Sequence, residues 1–65
     1  MSDAIKAAIE QYNVKLKRQE ANLAGTQSVA KILGSDSTVE AKIARQKEAV
    51  ANTKADIKKL EAALK

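Results

Sequence analysis

The chain of 65 residues has no cysteine, histidine, proline, tryptophan or phenylalanine, and it has only one tyrosine and two glycines. Without cysteine it can form no disulfide, and without cysteine and histidine it has no plausible zinc or haem site. The single aromatic residue, Tyr12, cannot provide the row of rings on which single-stranded nucleic acid stacks. The two glycines stand nine residues apart, so there is no glycine-rich phosphate loop. We therefore expect no metal and no cofactor.

Long apolar runs are also missing. No segment approaches the roughly 20 apolar residues that cross a bilayer, and the N-terminus lacks the basic start, apolar run and cleavage site of a signal peptide. From the sequence we expect a soluble protein without a membrane span, either in the cytoplasm or associated with a virion.

The residues needed for catalysis are not grouped. An enzyme uses a nucleophile beside a base, paired carboxylates in a cleft, or a metal. Here the acids occur singly, mostly at helical spacing from Lys or Arg, as in the pair Lys6 and Glu10. We predict that the chain is not an enzyme and has no small-molecule substrate.

What the sequence does contain is two apolar stripes with steps of three and four residues, the spacing of a coiled-coil seam. The first stripe is Ile5, Ile9, Tyr12, Leu16, Gln19, Leu23, Thr26, Ala30 and Leu33. The second stripe is Val39, Ile43, Gln46, Val50, Thr53, Ile57, Leu60 and Leu64. We refer to the two stripes together as the seam. They predict an all-α fold, an antiparallel two-helix hairpin of coiled-coil type.

The predicted boundaries follow from the capping signals. Residues 1–65 form a single hairpin with helix 1 at about 3–33, a turn at 34–37 and helix 2 at about 38–64. Ser37 with Glu40 three residues later has the pattern of a capping box at the start of helix 2.

Gly25 leaves two alternatives open. Helix 1 could break there, with a short second helix capped by Thr26 or Ser28, or it could continue to Gly34 with a possible kink. A turn at residues 34–36 pairs the seam positions across the hairpin, placing Leu16 opposite Thr53 and Gln19 opposite Val50. We favour this tight turn over one centred near Lys31.

Four seam positions are polar: Gln19, Thr26, Gln46 and Thr53. Polar groups at such positions lower stability but fix the register or oligomeric state of a coiled coil. The alternative is that they face water at a loose seam. We favour control of register, because the four residues are spread along the hairpin.

A lone pair of helices of this size has little stability to spare, and natural proteins of similar length often associate with further copies. We therefore predict a homo-oligomer or a larger helical assembly. Candidate protein-interface residues are exposed apolar positions outside the seam: Val14, Val29 and Ile32 on helix 1, and Ala41, Ala44, Ala51, Ala55 and Ala62 on helix 2.

Two functions are compatible with these features. The first is a non-catalytic structural or adaptor protein, a subunit of an assembly such as a phage particle, a capsid-associated layer or a secretion filament. The alternative is a basic dimeric RNA- or DNA-binding regulator, since the chain has twelve Lys and Arg against eight Asp and Glu. Its length and hairpin plan are similar to those of the Rop regulator, although no motif matches. The residues for that alternative are Lys15, Lys17, Arg18, Lys54, Lys58 and Lys59.

Overall fold

A computed structural model describes residues 2–65. Helix α1 spans Ser2–Leu33 and helix α2 spans Ser37–Ala63, and the two helices pack together as an antiparallel hairpin. The hairpin measures 49 × 15 × 12 Å, and its long axis matches the roughly 48 Å expected for 32 helical residues at 1.5 Å each. The predicted fold class is therefore confirmed.

Helix α1 runs without interruption through Gly25, so the alternative of a broken helix is wrong. The chain reverses at Gly34, whose φ of 85° lies in the left-handed region that ends many helices. A residue with a Cβ is disfavoured in this conformation, which explains why glycine stands at this position. The tight turn therefore consists of Gly34, Ser35 and Asp36.

Helix α2 is capped one residue earlier than the sequence pattern suggested. The N-cap is Asp36, whose carboxylate oxygen Oδ1 accepts a hydrogen bond of 2.9 Å from the backbone N–H of Val39. The prediction of Ser37 as the cap was wrong, and Ser37 is the first helical residue. Aspartate and serine are equally good caps, but only aspartate adds a negative charge at the positive end of the helix dipole.

The seam forms the contact between the helices. Of its 17 predicted residues, all but Leu33 and Leu64 are buried or half-buried. The buried side chains among residues 2–65 are Val50 and Ile57, each 8% exposed, and Thr53, 3% exposed. All three belong to α2, where half-buried seam residues of α1 cover them.

Thr53, the most buried of these residues, is polar. Its hydroxyl donates a hydrogen bond of 2.6 Å across the hairpin to the amide oxygen Oε1 of Gln19. The predicted pairing of seam positions places Gln19 opposite Val50. The long Gln19 side chain therefore reaches one helical turn beyond its expected partner. Because a one-turn slip of the helices would leave the hydroxyl or the amide oxygen buried without this bond, the pair favours a single register.

Hydrogen bonding is less complete in the middle of the seam. The Gln46 Oε1 atom is buried and accepts no hydrogen bond in the described part of the chain. Gln46 lines a cavity of about 70 Å³ together with Gln19, Asn22 and Ala49. Helix packing is therefore looser here than around Thr53.

The two glycines should respond in opposite ways to substitution by alanine. Gly34→Ala forces a Cβ into the left-handed region and should lower the free energy of unfolding by about 1–2 kcal/mol. Gly25→Ala lies in a regular helix, where an added Cβ meets nothing within 4 Å, and should raise it by about 0.4–1 kcal/mol. Urea unfolding of dilute protein, followed by circular dichroism, measures both; a stabilising Gly34→Ala would contradict the assigned turn.

The bond between Thr53 and Gln19 can be tested by a double-mutant cycle. Thr53→Val leaves the half-buried Gln19 amide oxygen without its donor and should cost about 1–3 kcal/mol, whereas Thr53→Val combined with Gln19→Leu should recover most of this loss. The matched control is Thr26→Val, because the Thr26 hydroxyl donates only to the Asn22 carbonyl of its own helix, at 3.0 Å. Equal losses for the two threonines would show that the cross-helix bond contributes nothing specific.

Candidate protein interface

Most of the exposed large apolar side chains lie on α1, outside the seam or beyond its end. Val14 is 52% exposed, Val29 is 55% exposed, and Ile32 and Leu33 are 81% and 80% exposed. Leu64, at the C-terminal end of the seam, is 38% exposed. A hairpin of this size therefore leaves more large apolar side chains in solvent than it buries.

The three α1 residues predicted as interface residues are all among them. Val29 and Ile32 lie one turn apart near the chain reversal, whereas Val14 is 18 positions before Ile32, or about 27 Å along the axis. The structure thus places two of them in one patch and the third farther along the helix. Their role in binding a partner stays a prediction.

Leu33 was predicted to lie in the seam, and this assignment is wrong. The seam ends where Ala30 and Val39 are half-buried, because residues 34–36 form the turn and offer no helical partner for the next position. Leu33 instead adds a fourth large apolar side chain to the exposed surface.

An open cleft of about 520 Å³ lies beside this patch, between the two helices at the turn end. Its apolar wall consists mainly of small or branched residues: Ala21, Gly25, Val29, Ala30, Leu33 and Val39. Asn22, Thr26 and Lys42 provide the polar atoms around it. The sequence analysis missed this cleft, because its shape depends on how the two helices pack.

The alanines predicted as a second contact surface lie on α2. All five are exposed and fall outside the seam: Ala41, Ala44, Ala51, Ala55 and Ala62. Their side chains are small, so another helix could approach there, but alanine is also the strongest helix former and needs no partner. This surface stays a prediction.

The six cations of the nucleic-acid alternative are all exposed and lie in the half of the hairpin away from the turn. Lys15 lies over the ring of Tyr12, with its Nζ 5.5 Å from the centroid. Lys15 and Lys17 are two residues apart on a helix, so they project about 200° apart around its axis. Lys15 and Lys17 therefore cannot share one basic face, whereas Lys54 and Lys58, four residues apart on α2, lie on one side of that helix.

The described residues also bear on metal binding and membrane insertion. Within residues 2–65, no cluster of three or more His, Cys, Asp or Glu side chains could hold a metal ion. Neither of the two helices combines the length and apolar composition of a membrane-spanning segment. Comparisons with protein-family models, with curated proteins and with solved structures found no match to this chain.

The exposed apolar residues should matter little to the folding of a single hairpin. Ile32→Ser and Leu33→Ser should each change the free energy of unfolding of dilute protein by less than about 0.5 kcal/mol, because surface substitutions remove few contacts. Ile57→Val, which deletes one methylene from a buried side chain, should cost about 0.5–1.5 kcal/mol and serves as the control. If Ile32→Ser proved as costly as Ile57→Val, Ile32 would have to be buried in dilute solution, contrary to the structure.

Proposed function

We propose that this chain is a non-catalytic structural or adaptor protein, a helical hairpin subunit that assembles with further protein subunits. Phage particles, capsid-associated layers and secretion filaments are assemblies that use small subunits of this kind. The observation that carries the proposal is the imbalance between two buried large apolar side chains and four, on α1, that are more than half exposed.

The surface area supports the same proposal. Folded monomers follow a size scaling that gives about 4,000 Å² for a mass of 7.0 kDa, whereas this hairpin exposes 5053 Å². The excess of about 1,000 Å² is similar to the roughly 800 Å² that each partner buries in an interface of standard size. Covering one face of the hairpin would therefore bring its exposed area close to that of a compact protein.

The charges favour a protein partner over nucleic acid. Binding to an RNA or DNA backbone requires several cations on one face, and Lys15 and Lys17 project to different sides of α1. The exposed apolar residues, in contrast, are concentrated on α1 and at the turn end of the hairpin. A contact made by apolar side chains would therefore bury more of these exposed residues than a contact made by charged side chains.

Association should be visible as a dependence of stability on protein concentration. The melting temperature should rise as the protein is concentrated from micromolar to millimolar, since subunits that bind only when folded stabilise one another. The double variant Val29→Ser/Ile32→Ser should lose this dependence, while the matched double variant Ala44→Ser/Ala51→Ser tests the back of α2. Calorimetry combined with sedimentation equilibrium measures both melting temperature and mass.

A protein that stays monomeric would contradict the proposal. If the chain has a monomeric mass at millimolar concentration, with full helicity and a cooperative melt at one fixed temperature, a single hairpin is sufficient for stability. The stability of the hairpin would then give no reason to expect a partner subunit.

A further inference from the structure

Helix α1 carries a second stripe with coiled-coil spacing outside the seam, and two of its members, Ala21 and Gly25, also line the cleft at the turn end. Its members alternate in steps of four and three residues, and every one of them is exposed: Ala7, Gln11, Val14, Arg18, Ala21, Gly25, Ser28 and Ile32. We name this set the outer stripe. Steps of this kind keep one side of a helix facing a neighbouring helix over several turns, as the seam does for α2.

Four members of the outer stripe are matched in size about position 23, while Arg18 is level with the smaller Ser28, and Ala7 and Gln11 extend past the end of the second copy's α1. Ala21 and Gly25 lie two residues on either side of that position, and the large apolar residues Val14 and Ile32 lie nine residues on either side. An antiparallel copy centred there brings Val14 level with Ile32 of the second copy, and Ala21 level with Gly25 of the second copy. Such mutual pairing is what a two-fold symmetric interface requires.

Gly25 fits the centre of this arrangement. A Cβ added at Gly25 would meet nothing within 4 Å, so packing inside the hairpin does not require a glycine there. Glycine weakens a helix interior relative to alanine, and it is used where another backbone must come close. With Ala21 beside it, Gly25 allows two α1 helices to approach at the middle of the stripe.

The ends of the stripe then cover three of the exposed apolar residues. Val14 of the second copy, level with Ile32, lies over the patch formed by Val29 and Ile32. By symmetry, Val14 of the first copy does the same at the other end. Val14, Val29 and Ile32 are thereby covered, whereas Leu33, which has the phase of the seam, stays outside this contact.

The charged member of the stripe does not oppose this pairing. In the antiparallel register Arg18 is level with Ser28 of the second copy, so no two like charges of the outer stripe face each other. We propose that the outer stripe binds a second copy of this chain, with the two α1 helices antiparallel about a two-fold axis level with residue 23. This inference rests on the proposed assembly function and specifies the first contact in it.

Cysteine cross-linking tests the register directly, because the natural chain has no cysteine. Val14→Cys and Ile32→Cys proteins are mixed and oxidised, and the products are identified by mass. Each substituted position lies about 27 Å along the axis from the same position in the second copy, too far for a disulfide, which needs Cα atoms within about 7 Å. The expected product is the mixed disulfide, with little dimer from either variant alone; Val14→Cys mixed with Ala51→Cys is the matched control.

A second measurement does not depend on disulfides. Gly25→Leu places bulk where the helices should approach closely, and should weaken dimerisation by about tenfold or more while leaving helicity unchanged. Asn52→Leu, an exposed position of α2 outside every candidate surface, should leave dimerisation unaltered. Sedimentation equilibrium compares the two variants with the natural chain.

The outcomes separate this inference from the proposed function. If the chain forms oligomers but gives same-residue disulfides, or links Val14→Cys to Ala51→Cys as readily as to Ile32→Cys, the outer stripe is not the interface although assembly stands. An oligomer that tolerates Gly25→Leu leads to the same conclusion. A chain that remains monomeric at every concentration overturns both proposals.

Discussion

The hydrogen bond between Thr53 and Gln19 is the constraint on which the hairpin most depends. Apolar contacts along a regular seam can be satisfied in several registers, because each step of one turn presents similar side chains. A buried hydroxyl that donates over 2.6 Å to one amide oxygen has no such freedom. The position of every surface residue relative to the other helix follows from this fixed alignment, including the cleft at the turn end.

The same constraint explains how the protein divides its apolar residues. The seam has room for one side of each helix, and Val50 and Ile57 are buried there with Thr53 between them. The remaining large apolar side chains of α1 have no place within the hairpin, because two helices enclose only one line of contact. Exposed apolar side chains are unfavourable for an isolated chain in water, whereas in a chain that associates they can form the interface.

Local pattern was sufficient to predict the helices and most of the seam, since spacings of three and four residues specify a helical face regardless of what the face packs against. The cap was displaced by one residue because Asp36 and Ser37 are adjacent and both residue types cap well. Leu33 was misplaced for a different reason: its phase on α1 is that of the seam, but its burial depends on where α2 begins. The cleft was beyond sequence analysis altogether, as its walls come from both helices.

The location of the buried residues has a consequence for how the molecule forms. Val50, Thr53 and Ile57 lie in the half of α2 that is far from the turn, and the bond between residues 19 and 53 spans 34 positions of the chain. If the two helices paired progressively outward from the turn, the loosely packed part around the cleft would therefore form first. The best-packed part must instead be reached by bringing distant segments together, at the entropic cost of closing a long loop. We therefore expect the turn to guide the chain without nucleating its folding, since the best-packed part of the hairpin is at the opposite end.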